Sequence, residues 1–237
     1  MDPLTTAAAS GLRARMESLD ILANNLANTT TTGFKADREY FNIYMSPDGA
    51  EVPSIDSHWT DLAQGTIETT GNQLDVALSG RGFFGVQTPD GVRYTRNGSF
   101  HLNATGDLVT ADNYRVLNDQ SQPIRLDLNQ PVKIDRDGVL WQGTNQVGKL
   151  LVAGSPSSQA LAKQGSTYFQ WSPADATARP ESTEIIQGGR EGSNAGSVDS
   201  AVRMVSVMRQ FEALQRAVQL GGEMNRRAVE EVARVNP

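Results

Sequence analysis

Residues 19–34 read LDILANNLANTTTTGF. Leu19, Leu22 and Leu26 recur at steps of three and four, the spacing of one helix face. Asn24, Asn25 and Asn28 interrupt that face, and four threonines lead to a Gly33-Phe34 exit. Asparagine is a poor helix former because its amide competes for nearby backbone groups. Within a seam between helices, such an amide fixes register. A helix lying on its own domain has no use for this combination. The stretch reads as the end of a helix that packs against partners, one at the far end of the chain and others in neighbouring subunits. It predicts assembly rather than catalysis.

Working outward, the helix is expected over 3–28. Asp2 can cap it, Pro3 suits its first turn, and Leu4, Ala8, Leu12 and Met16 extend the stripe. Residues 7–11, AAASG, keep one end thin enough for close approach of another helix. The partner is sought from Ser197 or Asp199 onward, where Val198, Val202, Val205, Met208, Phe211, Leu214 and Val218 form a second stripe. That helix continues past Gly221-Gly222 through Met224, Ala228 and Val232, well beyond the usual globular length, and so requires a partner along most of it. The candidate interface is Leu12, Leu19, Leu22, Asn24, Asn25, Leu26, Asn28, Gly33 and Phe34 from the first helix and its exit. Val202, Val205, Met208, Phe211 and Leu214 supply it from the second.

Between the helices the texture changes. Residues 36–74 carry Tyr40, Phe41 and Tyr44 and then a Pro- and Gly-containing loop over 45–60, and read as an extended arm. Short alternating runs follow at 74–78, 82–87, 92–96, 99–102, 106–110, 114–117, 124–128, 132–134, 139–142, 149–153 and 167–171. Pro89-Asp90-Gly91 and Asn97-Gly98 stand between them as hairpin turns. Residues 172–195 are rich in Pro, Gly and Ser and read as a second arm. The predicted fold is α+β: long terminal helices paired in coiled-coil fashion, an inserted antiparallel all-β domain, and extended connecting arms. The domains are expected as 1–35 with 196–237 for assembly, 36–74 with 172–195 as arms, and 75–171 as the β domain.

Composition narrows the function further. Of 237 residues, 38% are hydrophobic and 6% aromatic, lean for a compact enzyme. The net charge is -6, and the acidity lies in the middle of the chain, since residues 1–35 balance and 190–237 nearly do. Nucleic acid is an unsuitable partner, because phosphate binding needs a basic face. There is no cysteine, hence no disulfide and no thiolate metal site. Met1 is followed directly by Asp2-Pro3, so no cleaved signal is expected, and no apolar run approaches a membrane span.

Catalytic candidates are weak. His58 sits in a predicted loop beside Trp59, and His101 on a predicted strand, neither near a nucleophile motif. Gly80-Arg81-Gly82 leads into a strand rather than a helix, unlike a nucleotide loop. Asp135-Arg136-Asp137-Gly138 lacks the distal glutamate of a calcium loop and reads as a hairpin turn. No catalytic, cofactor or metal residue is assigned.

Four stretches resemble the flagellar basal-body rod and hook family. They are ASGL at 9–12 with LANNLAN at 22–28 and TGFK at 32–35; QG at 64–65 with TGNQLDVAL at 70–78 and GRGFF at 80–84; YTRNGSF at 94–100 with GDLVT at 106–110; and GSN at 192–194 with MV at 204–205 and RQFE at 209–212. The likeness covers essentially the whole chain. After GSN this chain inserts Ala195-Gly196-Ser197 where the family passes more directly into a Val-Asp helix start. The Met1-Asp2 start and RQFE are most similar to the proximal-rod branch, with the distal-rod branch as runner-up. The resemblance implies a structural subunit without cofactors, and partners among other rod and hook-basal-body proteins, copies of itself and the flagellar type III export machinery. It implies no membrane insertion, a place in the periplasmic rod, and terminal helices that line a torque-transmitting helical tube. Distal-rod or hook-type subunits are the alternatives, and beyond them a glycan-binding β domain on a helical stalk. That last reading predicts a concave aromatic or carboxylate cluster within 75–175.

Overall fold

Small residues, with a single leucine, form most of the covered face of the N-terminal helix. In a computed structural model of the chain, which describes residues 3–45, 51–154, 161–171, 180 and 182–235, helix α1 spans Pro3–Ala27. Its buried positions are Ala8, Gly11, Ala14, Ser18, Leu22 and Asn25, at steps of three and four. The second helix, α2, spans Ser197–Val235, with Asp199 in its first turn, where an anion suits the helix dipole. Asp199 also pairs with Arg203 one turn on, at 3.1 Å.

The two helices touch, but the expected coiled-coil-like pair is overturned. An apolar seam in a coiled coil is buried, yet Val198, Val202, Val205 and Met208 of the expected stripe are 76%, 65%, 51% and 48% exposed. The α2 positions with reduced exposure, among them Ser200, Met204, Val207, Phe211, Leu214, Val218 and Gly221, lie on the opposite side of the helix. On α1 the expected knobs Leu12, Leu19 and Leu26 are only half-buried, because the chain covers the Ala/Gly/Ser face beside them.

The first of two compact units holds α1, α2 and the hairpin of β1 (Asp37–Met45) and β2 (Glu51–Thr60, leaving the unit after Trp59). Asn25 ties the hairpin to α1. Its amide donates to Asp37 O at 2.7 Å and accepts from Asp37 N at 2.9 Å, so a side-chain amide acts as a neighbouring strand's peptide group. The expected arm and loop over these residues are strands, rich in aromatic and β-branched positions.

The second unit comprises Asn28–Ala36 and Thr60–Ala195. Its strands are β3 (Ile67–Thr69), β4 (Val76–Ser79), β5 (Phe83–Thr88), β6 (Gly91–Thr95), β7 (His101–Leu102), β8 (Leu108–Val109), β9 (Arg115–Val116), β10 (Val132–Ile134), β11 (Val139–Gln142), β12 (Asn145–Lys149), β13 (Val152–Ala153), β14 (Ala162–Gln164), β15 (Tyr168–Gln170), β16 (Glu184–Gln187) and β17 (Gly189–Glu191). The main sheet runs β14-β15-β6-β5-β9-β8-β7, with β13 also on β5. A three-stranded sheet β10-β11-β12 and two pairs, β16-β4 and β17-β3, complete it, and all these pairings are antiparallel. The expected single all-β domain is therefore corrected to several open, unclosed sheets. Runs of two to six residues, cut by turn residues, make ladders too short to close on themselves. Of the expected second arm, the described residues include β16 and β17; residues 172–179 and 181 lie outside the described set.

Successive residues of a strand face opposite sides, and β5 feeds two cores this way. Phe84 and Val86 join the main core with Val76, Leu108, Leu140 and Ile185. Phe83 joins a second cluster with Tyr94, Phe169 and Trp171, in which Tyr94 stacks on Trp171 at 3.7 Å between ring centres. The expected hairpin at Asn97-Gly98 does not form. β7 pairs with β8, not β6, and Gly98 instead lies against β4, accepting from Val76 N at 2.9 Å. A side chain at Gly98 would run into Val76 O, so this glycine serves close approach.

Asp107 is held by Arg125 Nε at 2.8 Å and lies 3.4 Å from Arg115 Nε. The hydrogen bond from Arg125 holds its carboxyl below the usual carboxylate range, against the opposing effect of burial. Its folded-state pKa lies below the unfolded one, so its stabilisation is present above the ordinary carboxylate pKa and is lost as pH falls through the folded value. Arg125→Gln is expected to flatten this acid-side loss, as read from thermal melts between pH 7 and pH 2. Asn25→Leu is expected to remove both bonds to Asp37 and destabilise the first unit by about 1–3 kcal/mol. Helicity by circular dichroism would be retained while limited proteolysis cuts the 37–60 hairpin faster.

Candidate functional site

Glu191, at the end of β17, is a carboxylate with no solvent access, and three segments distant in sequence meet on it. Lys35 Nζ reaches Oε1 at 2.6 Å and Arg96 Nη1 reaches Oε2 at 3.0 Å. The Gly65 backbone N–H donates to Oε1 at 2.9 Å. The Glu191 carbonyl accepts from Gly33 N at 2.7 Å. Each cation has a second anchor: Lys35 donates to Ala63 O at 2.6 Å and Arg96 Nη2 to Gly80 O at 2.7 Å.

The local sequence explains how the segments approach so closely. Gly33 has φ +70°, and a side chain there would strike the Asn97 backbone. Asn194, three residues past Glu191, accepts from Ala36 N at 2.7 Å and donates to Asp61 O at 2.7 Å, stitching the same strips. Phe34 is fully buried, and Lys163 Nζ sits 4.1 Å from its ring centre, a cation–π contact.

Burial pushes the Lys35 ammonium below its ordinary pKa, and the Glu191 carboxylate pulls it back up; Arg96 is shifted by the same pair of causes. Two cations around one anion, in a site with no water access, cohere only while that anion is ionised. The arrangement positions no nucleophile or proton shuttle. It is a structural clamp. Among the described residues, no group of three His, Cys, Asp or Glu stands together to hold a metal.

The candidate interface residues scatter between clamp and surface. Gly33 and Phe34 lie at the clamp, and Asn28 belongs to the same unit, half-buried. Leu22 and Asn25 are buried on α1, Leu12, Leu19 and Leu26 are half-buried, and Asn24 is exposed. On α2, Val202, Val205 and Met208 are exposed, while Phe211 and Leu214 are half-buried on the other side. Val202 and Val205 line a shallow groove of about 630 Å³ with Ala201, Ser206, Arg209 and Ala213. Sequence reasoning passed over Lys35, Arg96 and Glu191. The available signal was a charge next to glycine turns in each of three motif stretches; the pairing of positions 156 apart was not available.

Three family profiles match. Residues 6–35 match "Flagella basal body rod protein", 77–141 the "Flagellar hook protein FlgE/F/G D1 domain", and 186–231 the "Flagellar basal body rod FlgEFG protein C-terminal". The chain is 32% identical over 227 residues to the flagellar basal-body rod protein FlgF of Caulobacter vibrioides, covering 92% of this chain and 93% of the relative. The chain belongs to the flagellar basal-body rod and hook family. It is also 29% identical to FlgG of Agrobacterium fabrum over 250 residues (92% of this chain, 94% of the relative). To FlgG of Bacillus subtilis it is 31% identical over 246 residues (91% and 93%). Members of this rod and hook family are structural and non-catalytic, and this chain is a structural subunit of the flagellum, not an enzyme. No helix among the described residues is long and apolar enough to cross a membrane. All three matched segments contribute to the clamp: Lys35 closes the first, Arg96 lies in the second and Glu191 in the third.

Glu191→Gln is expected to leave two buried cations without a counter-charge and to cost about 3–5 kcal/mol. The measurement is urea unfolding followed by tryptophan fluorescence. Lys35→Met should cost less, because Arg96 still neutralises Glu191.

Proposed function

We propose that this chain is a proximal-rod subunit of the flagellar basal body. It assembles with copies of itself and with other rod and hook-basal-body proteins into a helical tube that transmits torque. The observation that carries the reading is the second apolar face of α2. Val198, Val202 and Val205 are 76%, 65% and 51% exposed on a helix whose opposite side is already partly covered. Burying a valine fully is worth about 1.5–3 kcal/mol, so a row of them favours a neighbour over solvent. A head-to-tail contact that does not close on itself extends into a helical filament.

In this reading the terminal segments, 1–35 and 196–237, carry assembly and 75–171 form the body they bear. The interface draws on Leu12, Leu19, Asn24 and Leu26 of α1 together with Val202, Val205 and Met208 of α2, all of which keep surface of their own. The buried Leu22 and Asn25 would shape that surface from beneath, while Gly33 and Phe34 would act through the fold of the second unit. Export runs through the flagellar type III machinery, to a periplasmic rod.

A distal-rod reading has its own support in the FlgG relatives, at 29% and 31% identity against 32% for FlgF. The two differ in neighbours. A photo-crosslinker at position 202 in isolated basal bodies is expected to capture proximal-rod proteins; capture of hook and distal-rod proteins alone would replace the first reading with the second. Val202→Asp with Val205→Asp is expected to abolish swimming and incorporation into basal bodies while the purified chain keeps its melting temperature within a few degrees. Normal motility in that variant would rule out the α2 face as an interface.

A further inference from the structure

On the main sheet of the second unit lies a polar hollow of about 380 Å³, lined by none of the clamp residues and unused by the assembly reading. Arg93 of β6 forms one wall. Its side chain runs inward, leaving the residue 6% exposed, and it makes no ion pair with any described residue. Nε donates to Gln164 Oε1 at 2.7 Å and Nη1 to Val92 O at 3.2 Å, both neutral acceptors. Gln164 is held in that pose by a bond from its own Nε2 to Gln170 Oε1 at 2.9 Å. The guanidinium is thus pre-oriented and nine-tenths buried, and among the described residues no carboxylate pairs with it directly. Removing a cation from water without an anion beside it is unfavourable, and a planar guanidinium is the side chain best shaped to hold a carboxylate.

Two carboxylates line the same hollow. Asp90 stands in the β5–β6 turn, and Asp112 in the turn before β9. Asp112 Oδ2 accepts from the Tyr168 hydroxyl at 2.6 Å, which leaves Oδ1 for another donor. The rings of Tyr114 and Tyr168 meet edge to face at 5.4 Å between centres and give the hollow an aromatic side. A neutral sugar would satisfy the rings but not the charges, and a simple anion would face two carboxylates.

We propose that this hollow binds a small zwitterion, an α-amino acid, with its carboxylate on the Arg93 guanidinium and its ammonium at Asp112. The volume admits a single ligand of that size. The proposal stands apart from the rod reading, since it rests on no residue of the terminal helices.

The test is a titration of the isotope-labelled full-length chain with free L-amino acids, followed by ¹H–¹⁵N NMR. Saturable shifts are expected at the residues lining the hollow. Capping the ligand as its N-acetyl or its amide form should each weaken binding about tenfold or more, because each removes one charge-assisted contact. Arg93→Gln should do the same. If that variant does not fold by circular dichroism, Asp112→Asn tests the ammonium contact and keeps an acceptor for Tyr168. Absence of saturable shifts with every amino acid, equal binding of the capped forms, unchanged affinity in Asp112→Asn, or binding of a neutral chito-oligosaccharide instead would overturn the proposal.

Discussion

One buried carboxylate holds the second unit to its own beginning. Glu191 accepts from Lys35, Arg96 and the Gly65 amide, away from bulk solvent. Each contact would be worth little at a surface. In the interior the balance inverts: three ionised groups out of water are tolerable only together, so the absence of any one exposes the desolvation of the rest. That interdependence makes the clamp specific. A segment with the wrong charge, or in the wrong register, would leave a buried ion uncompensated.

The helical unit follows a different logic. Small residues let α1 come close to its neighbours, and the Asn25 amide borrows the bonding pattern of a strand to set where β1 begins. On α2 apolar residues occur on two opposite sides, and among the described residues one is partly covered while the other is exposed. A single long helix with two greasy sides is a poor element for an isolated globule and a good one for a subunit.

Much of this was legible beforehand. Helix α1, the length of α2, and strands such as β10 and β11 follow from periodicity and turn chemistry. Leucine periodicity misled on the seam of α1 because steric closeness, which favours Ala, Gly and Ser, outweighed the area of Leu12, Leu19 and Leu26. Asn97-Gly98 misled because a glycine used for close approach to Val76 O looks the same in sequence as one used for a turn. The 37–60 hairpin was hidden by mixed polar and aromatic character that weakens strict alternation. The clamp was out of reach for a different reason: no local pattern links Lys35 to Glu191.

That separation has a kinetic meaning. Lys35 and Glu191 lie 156 residues apart. During synthesis at roughly 5–20 residues per second, the 28–36 strip waits on the order of ten to thirty seconds for the residue that secures it. Closing so long a loop comes before its contacts can reward it. The latch of the second unit is therefore among the last parts of that unit the ribosome supplies, and a chain intercepted before that point has not yet locked.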